Sequence, residues 1–157
     1  MAGAGIAARV SDERAFDDAA FLGLARRSKR DPYRLGLFAR HLLPGERGTA
    51  ILPIAGGTLV ATDRRLLHLT THLEVDGAWN VREFTGYVVS REILLGEIRD
   101  VRHSTSRTSG EVSDTLLIST SEGLVDFLVS KGPARVVTDE DFEALAGLLM
   151  RRNPSRG

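Results

Sequence analysis

His68 and His72 stand four residues apart, a spacing that on a helix lets two imidazoles share one metal ion. Here Leu66, Leu67 and Leu69 read as a strand running into a loop, and His41 and His103 lie far away in sequence. No third ligand is placed, so no metal site is expected. The run Ser104-Thr105-Ser106-Arg107-Thr108-Ser109-Gly110 carries several hydroxyls. A nucleophile needs a base within hydrogen-bond reach. His103 adjoins Ser104, but neighbours on a strand face opposite ways, and there is no Gly-x-Ser-x-Gly elbow. A polar hairpin loop is the expectation. The carboxylate pairs Asp17–Asp18 and Asp139–Asp141 fall in helical first turns or on solvated faces, where the helix dipole accounts for them. Gly56–Gly57 lacks the Lys-Ser/Thr of a phosphate loop. The sequence therefore predicts no catalytic residue, no cofactor and no enzyme.

Two groups could bind rather than react. Arg26, Arg27, Lys29, Arg30 and Arg34 form the one local basic cluster. Clusters of this size are common at the solvated end of a helix, which is the favoured account; the functional alternative is contact with phosphates or an anionic membrane face. Trp79, Phe84 and Tyr87 gather in the stretch 71–90, in a chain with one Trp, two Tyr and six Phe. Aromatics in an extended segment either pack on the core or meet a partner.

The elements that position these residues follow from the apolar pattern. Residues 1–10 read as a flexible tail. Ser11 is a helix cap ahead of Asp12 and Glu13, and Phe16, Ala19, Ala20 and Leu24 fall at helical spacing. Asp31–Pro32 starts a second helix with Leu35, Phe38 and Leu42, which Pro44–Gly45 ends. A helical pair is thus expected over 11–43. From Gly48 onward the apolar residues come in short runs between polar or glycine-bearing turns, the pattern of an antiparallel barrel or sandwich. Seven runs are expected: 49–54, 58–62, 66–70, 91–95, 98–104, 115–120 and 124–130, with 81–90 as a further candidate. Asp76–Gly77 signals a turn, and the proline-free stretch after it predicts a ribbon over 78–90. Thr138, Asp139, Glu140 and Asp141 open a final helix whose Phe142, Leu145, Leu148 and Leu149 make one apolar face.

Composition narrows the classes further. The 157 residues are enough for one domain with a core, and 21 basic residues balance 21 acidic ones. A net charge of zero gives no general pull toward nucleic acid. With no cysteine, disulfides, thiolate metal sites and thiol nucleophiles are excluded. The most apolar stretch, Ala50–Ala61, is broken by Pro53, Gly56 and Gly57 and is too short to span a bilayer. No signal peptide is read at the start, so a cytoplasmic location is expected.

The stretch Leu43-Pro44-Gly45-Glu46, followed by Gly57-Thr58-Leu59-Val60-Ala61-Thr62-Asp63-Arg64-Arg65-Leu66-Leu67, resembles the bacterial and archaeal PH-like domains. Ile98-Arg99-Asp100-Val101 and Leu116-Leu117-Ile118-Ser119-Thr120-Ser121-Glu122-Gly123 continue the resemblance, which covers roughly 43–152. It implies an α+β fold: a bent antiparallel PH-like barrel of about seven strands, capped by the C-terminal helix, over 44–153. The Ala55-Gly56-Gly57 loop is short and uncharged, so lipid-headgroup binding at that loop does not carry over. The expectation is a non-enzymatic binding or scaffolding module, acting on a protein partner or on itself through barrel edges and the 71–90 insertion, with Trp79, Phe84 and Tyr87 at the contact. The alternative is association with an anionic membrane through the basic N-terminal cluster.

Overall fold

The computed structural model describes residues 12–75 and 81–150, with backbone alone at 73–75 and 81–85. Two sheets carry the architecture. The first has the order β1 (Ala20–Phe21), β2 (Gly48–Ile54), β3 (Gly57–Thr62), β4 (Arg65–Val75) and β5 (Val81–Leu94). Its strands are antiparallel except for β1, which runs parallel to β2. The second is an antiparallel meander of β6 (Ile98–Thr108), β7 (Glu111–Thr120) and β8 (Gly123–Gly132). Two α-helices, α1 (Pro32–Ala39) and α2 (Asp139–Met150), and three 3-10 turns complete the described chain.

The two sheets are buried differently, and their sequences record it. In β7 burial alternates, with Val112, Asp114, Leu116 and Ile118 inward and the half-exposed Ser113, Thr115 and Leu117 between them. Leu124 and Leu128 of β8 face solvent, so the second sheet has one wet face. The first sheet is covered on both sides. Leu52, Leu59 and Leu66 join an inner core with Leu116, Ile118 and Phe127 of the second sheet and Phe142, Leu145 and Leu149 of α2. Ile51, Val60, Leu67 and Leu69, on the opposite face, join an outer core with Phe16, Leu35 and Phe38. The unbroken pairs Ile51–Leu52, Leu59–Val60 and Leu66–Leu67 are what two-sided burial requires.

The outer core corrects the expected N-terminal helical pair. Of that pair only α1 forms, capped by Asp31, whose carboxylate accepts the Tyr33 and Arg34 N–H groups. The first helix is replaced by two 3-10 turns, Glu13–Phe16 and Gly23–Arg27, with β1 between them. Ser11 lies outside the described residues; Asp12 caps the first turn. Its apolar residues are used singly. Phe16 reaches the outer core, where Gly48 leaves room for its ring: a Cβ there would stand 2.3 Å from it. Ala20 and Phe21 pair with Ala50 and Ile51 of β2. Gly23 then turns the chain with a φ of +58°. Docking on a sheet outweighs a helical propensity worth only tenths of a kcal/mol per residue.

The expected closed barrel is also corrected. Ala55 N–H donates to the Val129 carbonyl at 3.0 Å, bringing the end of β2 against β8. On the other side the chain crosses between sheets through the Leu95–Glu97 turn, and β5 and β6 are not paired. The result is a two-sheet sandwich. Strand composition fixes which segments are extended but does not fix closure, which depends on tilt and stagger. The residues expected as a long link after the third strand are chiefly strand: β4 and β5 form one ribbon paired from Arg65↔Leu94 to Val75↔Val81. The ribbon expected over 78–90 is thus strand from Val81; residues 78–80 lie outside the described residues.

The β2–β3 turn is sterically tight. Gly57 has a φ of +150°, and a Cβ there would lie 2.5 Å from the Leu69 carbonyl oxygen and 2.7 Å from His68 Nε2. Gly57→Ala is expected to cost more than about 1 kcal/mol, read as a lower urea midpoint with unchanged slope. Gly56→Ser should cost less: its φ of +81° strains any side chain, but no atom lies within 4 Å of its Cβ.

Candidate functional site

Leu43, Glu46, Thr62 and Arg65 meet in one buried clamp. Glu46 is enclosed, and its carboxylate accepts from Arg65 Nε at 2.9 Å and Arg65 Nη2 at 2.9 Å, from the Thr62 hydroxyl at 2.5 Å and from Leu43 N–H at 2.8 Å. Arg65 also donates to the His41 carbonyl and to Glu92. Thr62 in turn accepts the N–H groups of Arg64 and Arg65, closing the β3–β4 turn. Burial alone would raise the Glu46 carboxyl; Arg65, Thr62 and Leu43 N–H outweigh it and hold the group below its ordinary value. The clamp ties β3, β4, β5 and the segment after α1 together.

A second network was not visible in the sequence. Asp114, buried on β7, accepts from Thr105 at 2.6 Å, Arg135 Nε at 3.0 Å and Ser130 at 3.4 Å. Arg135 bridges onward to Asp139, which also meets His103 Nε2 at 3.2 Å. The His103 ring stacks on Phe142 at 4.4 Å. Thr105 shares a strand face with His103, the period-two neighbour rather than the adjacent Ser104. Its hydroxyl donates to the Asp114 carboxylate that Arg135 also holds. Only the alternation of β7, which aims Asp114 inward, could have signalled this network.

The carboxylate pairs are similarly occupied. Asp141 completes a capping box: its carboxylate accepts Thr138 N–H, and its own N–H donates to the Thr138 hydroxyl. Asp17 pairs with Arg30. His68 and His72 lie on β4, where a four-residue step spans roughly 13 Å, too far for one ion. Among the described residues no group of three or more His, Asp or Glu could hold a metal.

The five-residue basic cluster divides. Arg26 reaches across the chain to Asp141, and Arg30 binds Glu13 and Asp17 at 2.8 Å each. Arg27, Lys29 and Arg34 are exposed and make no ion pair among the described residues. Asp141→Ala removes the cap and the Arg26 link together and is expected to lower stability by about 1–2 kcal/mol, measured by urea unfolding. Arg26→Ala alone should cost less, because Arg26 is 41% exposed.

Two residues expected in separate roles come together. Tyr87 packs on Phe38 with ring centroids 4.7 Å apart, and its carbonyl meets His41 Nε2 at 2.9 Å. Tyr87 and Arg34 share a cleft of about 380 Å³ with Asp31, Tyr33, Leu37 and Thr71, between α1 and the β4–β5 ribbon. Burial pushes the Tyr87 hydroxyl up, with Arg34 acting in the opposite sense. Tyr33 is 70% exposed at its edge. Trp79 lies outside the described residues, and Phe84 is placed on β5 by its backbone. Comparisons with protein-family models, with characterised proteins and with solved structures returned no match. Among the described residues no helix is long and apolar enough to cross a membrane.

Proposed function

We infer that this chain is a PH-like, non-enzymatic binding module that assembles with itself or with a protein partner through the β4–β5 ribbon. The observation that carries the reading is the outer edge of β5. Among the described residues β5 pairs with no strand but β4, so backbone groups on its other edge can meet another strand, apart from the Tyr87 carbonyl, which His41 Nε2 meets. Val88 and Val89 are each 40% exposed on that strand. Support for the PH-like part comes from the strand order of the two sheets, the C-terminal helix, and the use of Glu46, Thr62 and Arg65 as one clamp. The cleft holding Tyr33, Arg34 and Tyr87 adds the residue types that dominate protein interfaces, at the base of the ribbon.

The ribbon also limits where a strand can add. Its register shifts at His68/Leu69, His72/Leu73 and Glu74/Val75. Bulges twist an edge away from partners. The regular runs are Gly86–Val89 and Arg91–Leu94. The test places charge on the open run itself: Val88→Lys with Val89→Lys, both on exposed positions of Gly86–Val89. By light scattering the intact chain is expected to self-associate and the double variant to be monomeric with its melting temperature kept. An intact chain that stays monomeric and captures no partner overturns the proposal, as does a double variant that assembles equally well.

A second reading, contact with an anionic membrane, is favoured by Leu24, 57% exposed, in the same segment as Arg27 and Lys29. Flotation with anionic vesicles at low salt should drop on Arg27→Glu with Lys29→Glu. Arg26 and Arg30 are unsuitable for that test because they hold the fold. No flotation of the intact chain ends this reading.

A further inference from the structure

We propose that the cleft between the outer face of the first sheet and the Gly23–Arg34 segment binds an amphipathic monocarboxylate, its chain on the outer core and its carboxylate between Lys29 and Arg34. The cleft encloses about 220 Å³. A cavity of about 150 Å³ lined by apolar groups takes up a ring the size of benzene, so this one accepts a short aliphatic chain or a single ring. Leu35, Phe38 and Ile51, all in the outer core, lie along it. Both cations at its lining lack an ion-pair partner among the described residues. The one acid there, Asp31, has Oδ1 engaged by the N–H groups of Tyr33 and Arg34.

Charge and surface together select the ligand. An apolar cleft alone would take any small hydrophobe. Two unpaired cations beside it favour a headgroup with one or two acceptor oxygens, and charge-assisted bonds are about twice as strong as neutral ones. A cationic amphiphile is disfavoured by the same pair. A polyanion gains little from the apolar floor. The Ala55-Gly56-Gly57 loop has no part in the site.

The test uses the full chain and octanoate as probe, with 1-octanol and octylamine as charge controls and butanoate as the length control. Binding is read by calorimetry and by methyl shifts of Leu35 and Ile51 in low salt. Octanoate is expected to bind at least about tenfold more tightly than 1-octanol, and affinity should rise about fourfold per added CH₂ from butanoate upward. Lys29→Gln with Arg34→Gln should reduce octanoate to the 1-octanol level and leave 1-octanol unchanged. Ala25→Phe, placed on the wall of the cleft, should block both. Circular dichroism of each variant checks that it is folded; if Ala25→Phe unfolds, Ala25→Leu takes its place. No octanoate binding at millimolar concentration overturns the proposal. So does equal binding of octanoate and 1-octanol, or octanoate binding that survives the double Gln variant.

Discussion

Arg65→Ala is expected to remove about 3–5 kcal/mol of stability at neutral pH, the loss found when one partner of a buried ion pair is deleted. Glu46 stays enclosed with its charge and loses both guanidinium bonds. For a chain of this length each kcal/mol moves the melting temperature by about 2–4 °C, so the midpoint should fall by roughly 6–20 °C. The pH dependence gives the diagnosis. Glu46 is held below its ordinary value of 4.5 in the folded protein. Its contribution is therefore complete above that value and is lost as pH falls through the folded one. In the variant, burial acts without Arg65, and Glu46 takes up its proton more readily. The difference between the two proteins in urea midpoint should narrow from pH 7 to pH 3.5. A difference that does not change with pH would show that Arg65 acts by packing alone. Glu46→Gln combined with Arg65→Met should recover part of the loss, because no unpaired charge then remains inside.

Phe38→Ala is the second large effect, at about 3–5 kcal/mol for an enclosed phenylalanine. Phe38 is 1% exposed and meets Phe16 edge-on at 6.4 Å and Tyr87 at 4.7 Å. It is the point where α1, the first 3-10 turn and β5 touch. The urea transition should stay single and move as a whole, since the outer core shares its sheet with the inner one. Loss of a separate early phase, with the main transition unmoved, would mean that residues 12–42 are an attached arm and not part of the folding unit.

The sequence was most informative where local and global demands coincide. The helix over 139–150 is set by the Thr138–Asp141 box and a four-residue apolar face, and it forms as expected. The strands from β2 onward follow their apolar runs, several extending beyond them, as β4 does to Val75. The first forty residues were read by helical spacing, but Phe16, Ala20 and Phe21 face the sheet one at a time. The clue lay elsewhere, in the doubled apolar pairs of β2 to β4, which require a cover on both faces. Charges were harder still. Arg26 and Arg30 looked like surface cations because their partners lie 115 and 13–17 residues away. Distance along the chain hid Arg135 from Asp114 in the same way. Tyr87 and Arg34 were singled out for separate reasons, and only the fold places them in one cleft.

The two-sided first sheet has a consequence for how the chain is made. Every described residue of the outer core lies between Ala15 and Tyr87. The amino-terminal portion thus leaves the ribosome carrying both halves of that core, and its contacts can close before the last helix is made. The inner core cannot be finished so early, because Phe142, Leu145 and Leu149 are among the last described residues to emerge. Their arrival also brings Asp141 back to Arg26 across 115 residues. A released chain ending at residue 135 would hold the outer layer while Leu116, Ile118 and Phe127 lacked their helix, leaving apolar surface for chaperones to hold.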